Sequence, residues 1–351
     1  MEVTQMKNKR LLALLAAGVM TVGCLAGCGG SAETADNGSA ASNGGSGSTG
    51  NMTLIMAQRD DFLSTLESAA TKAGEERGYK IVAQDAQNDA QKQIQFVETA
   101  KNGGDSACIV NPVDSDAAQS VVDAADGMPL VFVNRGPSDY HVLDAENVAF
   151  VGSNETDAGK YQADALAEYF KAQGKTEIKY VLLQGTLGQV SQIKRCAGVL
   201  DGLKENGITA TPVVELAAEY DRAKAIDKIS PVLTSGQEFD CIISNNDSMA
   251  CGAVEACEAA NVDPSTIPIV GVDCTKDGAQ MVQEGKMLMT VFQNPEGQGV
   301  GAVEAAINLI NGNPANENTQ FVKDESGESY SDSIVWIPFE PVNKDNVADY
   351  M

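Results

Sequence analysis

Residues 107–135 read ACIVNPVDSDAAQSVVDAADGMPLVFVNR. Two apolar quartets, Ala107-Cys108-Ile109-Val110 and Leu130-Val131-Phe132-Val133, flank a segment, 115–125, whose apolar residues recur at helical period. Neither quartet alternates apolar with polar residues. Each therefore reads as a strand buried on both faces, which is the pattern of a parallel sheet covered by helices on two sides. Polar residues follow each quartet at once: Asn111 and Asp114 after the first, Asn134 and Arg135 after the second.

The same unit recurs in both directions. Strands are predicted over 53–57, 80–83, 148–151, 180–183, 212–216, 241–243, 267–272 and 288–292. Helices are predicted between them, over 62–77, 90–101, 156–170, 190–205, 222–233, 248–260, 278–284 and 297–310. So many strands form two sheets more easily than one, and the break is placed at 152–156. The predicted fold class is α/β, with two doubly wound parallel-sheet lobes joined by a multi-strand hinge. The expected N-terminal lobe is 52–154 plus 294–325, and the C-terminal lobe is 155–293 plus 326–351, the latter with a short strand at 334–338.

The chain opens differently. Lys7, Lys9 and Arg10 precede an apolar run, 11–22, that is too short to span a bilayer, and small residues follow. Residues 1–27 therefore read as a secretion signal, with Met6 as an alternative start. The segment Leu25-Ala26-Gly27-Cys28 resembles a bacterial lipobox, which implies that Cys28 is lipidated and becomes the first mature residue. Residues 28–51 are dominated by Gly, Ser, Ala, Asn and Thr and read as a flexible tether. The expected location is the outer face of the cytoplasmic membrane, anchored by lipid without spanning it.

A formal net charge of −25 argues against nucleic-acid binding. Of the eight Cys, six fall in the folded part, none in a Cys-x-x-Cys pair, and there is one His. A zinc site is unsupported, and the six read as small buried apolar groups. No cofactor and no metal are expected.

Ligands of open parallel sheets bind beyond the carboxyl ends of the strands. Those ends carry Asp60, Asp61 and Phe62; Asn134 and Arg135; Gln184 with Arg195 in the next helix; Tyr220 and Asp221; Asn245, Asn246 and Asp247; Asp273; and Gln293 and Asn294. Carboxylates, amides and guanidinium groups pair well with adjacent hydroxyls, and an aromatic ring suits the apolar face of a sugar. Asn111, Asp221 and Asp247 read first as helix caps. Arg135 and Arg195 have no such role.

Several motifs carry a resemblance: Gln84-Asp85-Ala86-Gln87-Asn88-Asp89, Leu130-Val131-Phe132-Val133-Asn134, Tyr180-Val181-Leu182-Leu183-Gln184-Gly185, Asn245-Asn246-Asp247-Ser248-Met249-Ala250 and Gly271-Val272-Asp273. Together they resemble bacterial periplasmic sugar-binding proteins of type I, the glucose/galactose and ribose kinds above all, over about 52–350. The resemblance implies a monosaccharide held by Asp60 or Asp61, Phe62, Asn134 and Arg135 from one lobe, by Arg195, Tyr220, Asn246 and Asp273 from the other, and by Gln293 at a crossover. Gln189 and Ser191 stand where the glucose/galactose type has His and Asp. That type's calcium loop has no counterpart, since Lys171-Ala172-Gln173-Gly174-Lys175 is short and basic.

The expected function is thus that of a monomeric solute-binding protein which hands its sugar to an ABC transporter permease. The alternative is a sensor that presents a sugar or sugar-like signal to a chemoreceptor or kinase. An enzyme is not expected: no nucleotide fingerprint, phosphate loop, nucleophile elbow or paired His ligands occur. Trp336 reads as packing near the hinge.

Overall fold

The computed structural model describes residues 49–351. The expected signal 1–27, Cys28 and nearly all of the tether lie outside the described residues. The tether's last two residues, Gly50 and Asn51, are instead sheet residues, paired with Tyr79 and Lys80. Backbone pairing, not side-chain apolarity, recruits them.

The first sheet is built from β1 (Gly50–Met56), β2 (Tyr79–Asp85), β3 (Ala107–Val110), β4 (Leu130–Val133) and β5 (Val148–Gly152), with helices α1 (Asp61–Glu76), α2 (Ala90–Gly103) and α3 (Ala118–Ala125) between them. The second follows after α4 (Glu155–Ala172): β6 (Glu177–Gln184), α5 (Val190–Glu205), β7 (Thr209–Ala217), α6 (Arg222–Thr234), β8 (Cys241–Ser244), α7 (Asp247–Ala259), β9 (Ile269–Val270), α8 (Lys276–Gln283) and β10 (Met289–Phe292). The chain ends with α9 (Pro295–Ile310), β11 (Val322–Lys323), β12 (Ile334–Trp336) and β13 (Glu340–Asn343). The strand orders are β11-β12-β5-β4-β3-β1-β2 and β13-β10-β9-β8-β6-β7. All pairings are parallel except β11 with β12 and β10 with β13.

Each sheet is covered on both faces, as its apolar strands require. Leu63, Leu66 and Ala70 of α1 and Ala302, Val303 and Ala306 of α9 close one face of the first sheet. Val97 of α2 and Val121 of α3 close the other, over the fully buried Phe132 and Phe150. In the second sheet α4 and α5 cover one face and α6, α7 and α8 the other. All six Cys of the folded part are buried and free.

The chain passes between the sheets three times: from β5 to α4 through Ser153 and Asn154, from β10 to α9 through Gln293 and Asn294, and from β12 to β13 through Ile337, Pro338 and Phe339. The third passage corrects the expected lobe boundary at 326. Ile334, Val335 and Trp336 pair in parallel with Phe150, Val151 and Gly152, so 326–336 goes with the first sheet, and only the residues beyond belong to the second. The run 334–338 reads as one strand because its composition is uniformly apolar. Pro338 offers no N–H to a ladder, and the run divides there between two sheets.

Candidate ligand-binding cleft

The carboxyl ends of both sheets open on one cavity of about 390 Å3. Asp60, Phe62, Asn134 and Arg135 line it from the first lobe. Gln189, Ser191, Arg195, Tyr220, Asn246 and Asp273 line it from the second, and Gln293 lines it at a crossing. Asp60, one of the two adjacent carboxylates left open by the sequence, lines the cavity.

Arg195 organises the second lobe's share. It is 4% exposed, and burying a guanidinium costs several kcal/mol unless it is fully paired. Its Nε donates to Glu155 Oε2 at 2.6 Å, Nη1 to the Asn245 carbonyl at 2.6 Å and Nη2 to Gln293 Oε1 at 3.4 Å, with Asp273 Oδ1 3.8 Å from Nη1. Two glycines let the helices bring Arg195 and Glu155 together. A Cβ on Gly159 of α4 would lie 2.4 Å from the Arg195 carbonyl, and one on Gly198 of α5 would lie 2.4 Å from that of Thr156. Burial alone would lower the Arg195 pKa, but Glu155 and Asp273 outweigh it, so the pKa rises. The cation is permanent.

Asp273 has the opposite balance. Burial raises its pKa well above the usual carboxylate range, Arg195 only partly offsets this, and Asp247, Glu155 and Asp60 push it up further. Asp60 belongs to the other lobe, so the two carboxyl groups face each other across the cleft. The Asp273 carboxylate accepts no hydrogen bond from the described residues beyond its 3.8 Å approach to Arg195. Gln293 is similarly unsatisfied: its buried Nε2 has no partner among the described residues.

Three non-glycine lining residues sit in the left-handed backbone region, Asn134 (φ 66°), Tyr220 (φ 61°) and Asp273 (φ 113°). Such conformations cost of order 1–3 kcal/mol each for non-glycine residues and persist where the surroundings over-determine them. Here the ladder does so: Asn134 N donates to Val151 O, and Asp273 N to Val291 O. The Tyr220 ring lies against Gly185, where a Cβ would come within 2.0 Å of it. Its hydroxyl shares a 2.8 Å hydrogen bond with Ser191 Oγ. Burial pushes the Tyr220 pKa up to about 12, so it stays a neutral donor or acceptor. Arg135 is lowered by burial and donates to the Pro112 carbonyl at 3.3 Å.

Capping and cavity lining coincide at two residues. Asp60 caps α1 through Leu63 N at 2.8 Å and takes Gln58 Nε2 on its other oxygen. Asn246 caps α7 through Met249 N, which leaves its Nδ2 for the cavity. The cap reading holds for Asp221 and fails for two others. Asp247 is the first residue of α7, next to the cap Asn246, and is fully buried, accepting hydrogen bonds from Thr290 Oγ1 and Thr275 N. Burial lifts its pKa to about 7. Asn111 is fully buried and ties Ala57 N to Val133 O and Asn134. Sequence reasoning missed Glu155, Gln58, Ser153, Thr186 and Tyr140 as lining residues. Glu155 follows the cap Asn154 in the first turn of α4, where an acidic residue is ordinary. No local signal marks it.

Comparison with known proteins agrees with this architecture. Residues 53–314 match the family described as periplasmic binding protein domain. A putative rhizopine-binding protein of Rhizobium meliloti is 32% identical over 301 residues, covering 85% of this chain and 87% of that one. The D-galactose/methyl-galactoside binding periplasmic protein of Haemophilus influenzae is 30% identical over 303 residues, covering 83% and 88%. Among solved structures, an ABC transporter solute binding protein from Bacillus halodurans with bound myo-inositol superposes with a TM-score of 0.74 at 28% identity, over 87% of this chain and 98% of that one. With its two covered parallel sheets, three crossings and one cleft between the strand tips, the chain belongs to the periplasmic binding protein family, in its type I fold.

Proposed function

We propose that this protein is the extracytoplasmic solute-binding component of an ABC transporter, and that it encloses a monosaccharide or a cyclitol of similar size between its lobes for delivery to the permease. One observation carries the reading. Within a single cavity, the Gln293 Nε2 donor is buried without a partner among the described residues, the partly buried Asp273 carboxyl has only its 3.8 Å approach to Arg195, and both lie beside that permanently charged group. A hydroxylated ring supplies an acceptor for the first and donors for the second. Relatives named for rhizopine, galactose and ribose, and a neighbour holding myo-inositol, support a small polyhydroxylated ligand.

Asp60, Phe62, Asn134 and Arg135 hold the ligand from one side, and Gln189, Ser191, Arg195, Tyr220, Asn246 and Asp273 from the other, with Gln293 between. A ring of about a dozen heavy atoms, with a ceiling near −1.5 kcal/mol per atom, readily reaches the roughly −8 kcal/mol of micromolar binding. The protein acts by binding and release, as a monomer, with no chemical step. Cys28 carries the lipid that keeps it at the membrane's outer face. No helix among the described residues is long and apolar enough to cross a membrane.

A thermal-shift screen followed by titration calorimetry against D-galactose, D-ribose, D-glucose and myo-inositol tests the ligand class. At least one should bind near micromolar, and binding of none, with tight capture of an amino acid instead, would end the sugar reading. Metabolic labelling with a fatty-acid analogue should mark the wild type and not Cys28→Ala.

A further inference from the structure

All three passages between the lobes converge on one side chain. Glu155, just beyond the first passage, accepts from Arg195 Nε at 2.6 Å. Gln293, in the second, accepts from Nη2 at 3.4 Å. Phe339, in the third, lies beneath the guanidinium, 5.9 Å from ring centroid to Cζ. The passages are also tied to one another: Ile337 N donates to the Gly152 carbonyl at 2.8 Å, and Gln298 Nε2 to Ser153 Oγ at 3.1 Å.

We propose that Arg195 is a positioning residue that transmits occupancy of the cleft to the hinge, because a ligand that fixes its guanidinium fixes the three passages in one mutual arrangement. The inference rests on the cleft being the ligand site. It differs from a plain contact role, in which Arg195 would lower the energy of the bound ligand and leave the hinge unaffected. An ion pair, a hydrogen bond and a cation–π contact from one rigid, planar group resist relative movement of the segments that carry them. Asp273, which pairs with Arg195 and is itself bridged to Phe292 beside the second passage, gives a ligand its second handle on the same group.

Phe339 does not line the cavity, so its replacement leaves ligand contacts in place and alters only the hinge side of the hub. Small-angle X-ray scattering on the full chain compares wild type with Phe339→Leu, Glu155→Gln and the charge-retaining Glu155→Asp, both sugar-free and with saturating D-galactose, D-ribose or myo-inositol. In the sugar-free state Phe339→Leu and Glu155→Gln should give a larger radius of gyration than wild type, and Glu155→Asp should return towards it. A hinge that visits its closed form less often raises every apparent Kd by one common factor, so Phe339→Leu should weaken each sugar that binds wild type equally, by roughly 3- to 10-fold. Should Phe339→Leu fail to fold, the Glu155 pair decides alone. Sugar-free radii equal to wild type in every folded variant would overturn the proposal. Failure of wild type to bind any of the sugars would overturn the ligand class instead, with the sugar-free radii still deciding the role of the hub.

Discussion

Replacing Arg195 with Ala separates the two demands made on that residue. The guanidinium is 4% exposed and holds Glu155, itself 8% exposed, together with the Asn245 carbonyl and Gln293 Oε1. Its removal strands a buried carboxylate, and breaking a buried pair from one side costs about 3–5 kcal/mol. For two lobes that melt together, at about 2.1 cal/mol/K per residue, this is a fall in Tm of roughly 5–8 °C. Ligand binding suffers separately. A charge-assisted hydrogen bond contributes about 1.5–3 kcal/mol, so losing even one raises Kd at least about 10-fold at 1.4 kcal/mol per decade. Arg195→Lys restores a charge for Glu155 but cannot reach the Asn245 carbonyl and Gln293 at once. It should recover part of the Tm and little of the affinity. Differential scanning fluorimetry and calorimetry on the three proteins read both quantities. If Arg195→Ala melted with wild type and bound sugar as tightly, the ion pair would be decorative and the reasoning wrong.

Asp247 should make stability depend on pH in an unusual direction. Its folded pKa, near 7, lies above that of an unfolded Asp near 3.8, so the folded protein holds the extra proton. The stabilisation is complete below about pH 4 and is lost as pH rises through 7. Asp273 acts in the same sense, as does exposed His141, whose folded pKa is raised by Asp144. Wild type should therefore melt higher at pH 5 than at pH 7.5, and Asp247→Asn, which removes one titrating group and leaves the others, should flatten that slope. An unchanged slope in Asp247→Asn would show that the carboxylate does not titrate as its burial requires. Gly185→Ala places a methyl group where the Tyr220 ring lies; overpacking costs about 1–3 kcal/mol, and calorimetry should show weaker sugar binding with the fold intact by circular dichroism. Tyr220→Phe loses only the bond to Ser191 Oγ and should weaken binding by less than about 10-fold, whereas Tyr220→Ala removes the ring and should cost more; equal losses would deny the ring any contact.

The fold was legible because each strand announces itself without reference to any other. Val131, Phe132 and Val133 are apolar in succession and buried in succession, and the helical periods between such runs leave few topologies. What failed to show in the sequence depends on partners distant in the chain. Nothing near Ile334 tells whether its strand joins Phe150 or a strand of the other sheet, and β13 pairs with β10 across some fifty residues. Asn111 and Asp247 have the composition of caps and the surroundings of a core, a difference set by Val133, Thr290 and Thr275.

The cleft was legible for a different reason, which the doubling of roles at Asp60 and Asn246 exposes. A cap and a ligand contact compete as readings of one polar residue only if they lie in different places. In this architecture they do not. The short turn after a parallel strand puts the start of the next helix at the sheet's carboxyl edge, so the side chain that caps the helix stands at the cleft. Asp60 and Asn246 each spend one oxygen on a helix N–H and still line the cavity. Polar residues at strand tips therefore locate the site whichever role they serve. Glu155 fits the same rule at the tip of β5, and its partner Arg195, nearly a turn and a half into α5, shows where the rule stops: only the packing of α4 on α5, through Gly159 and Gly198, brings that guanidinium to the edge.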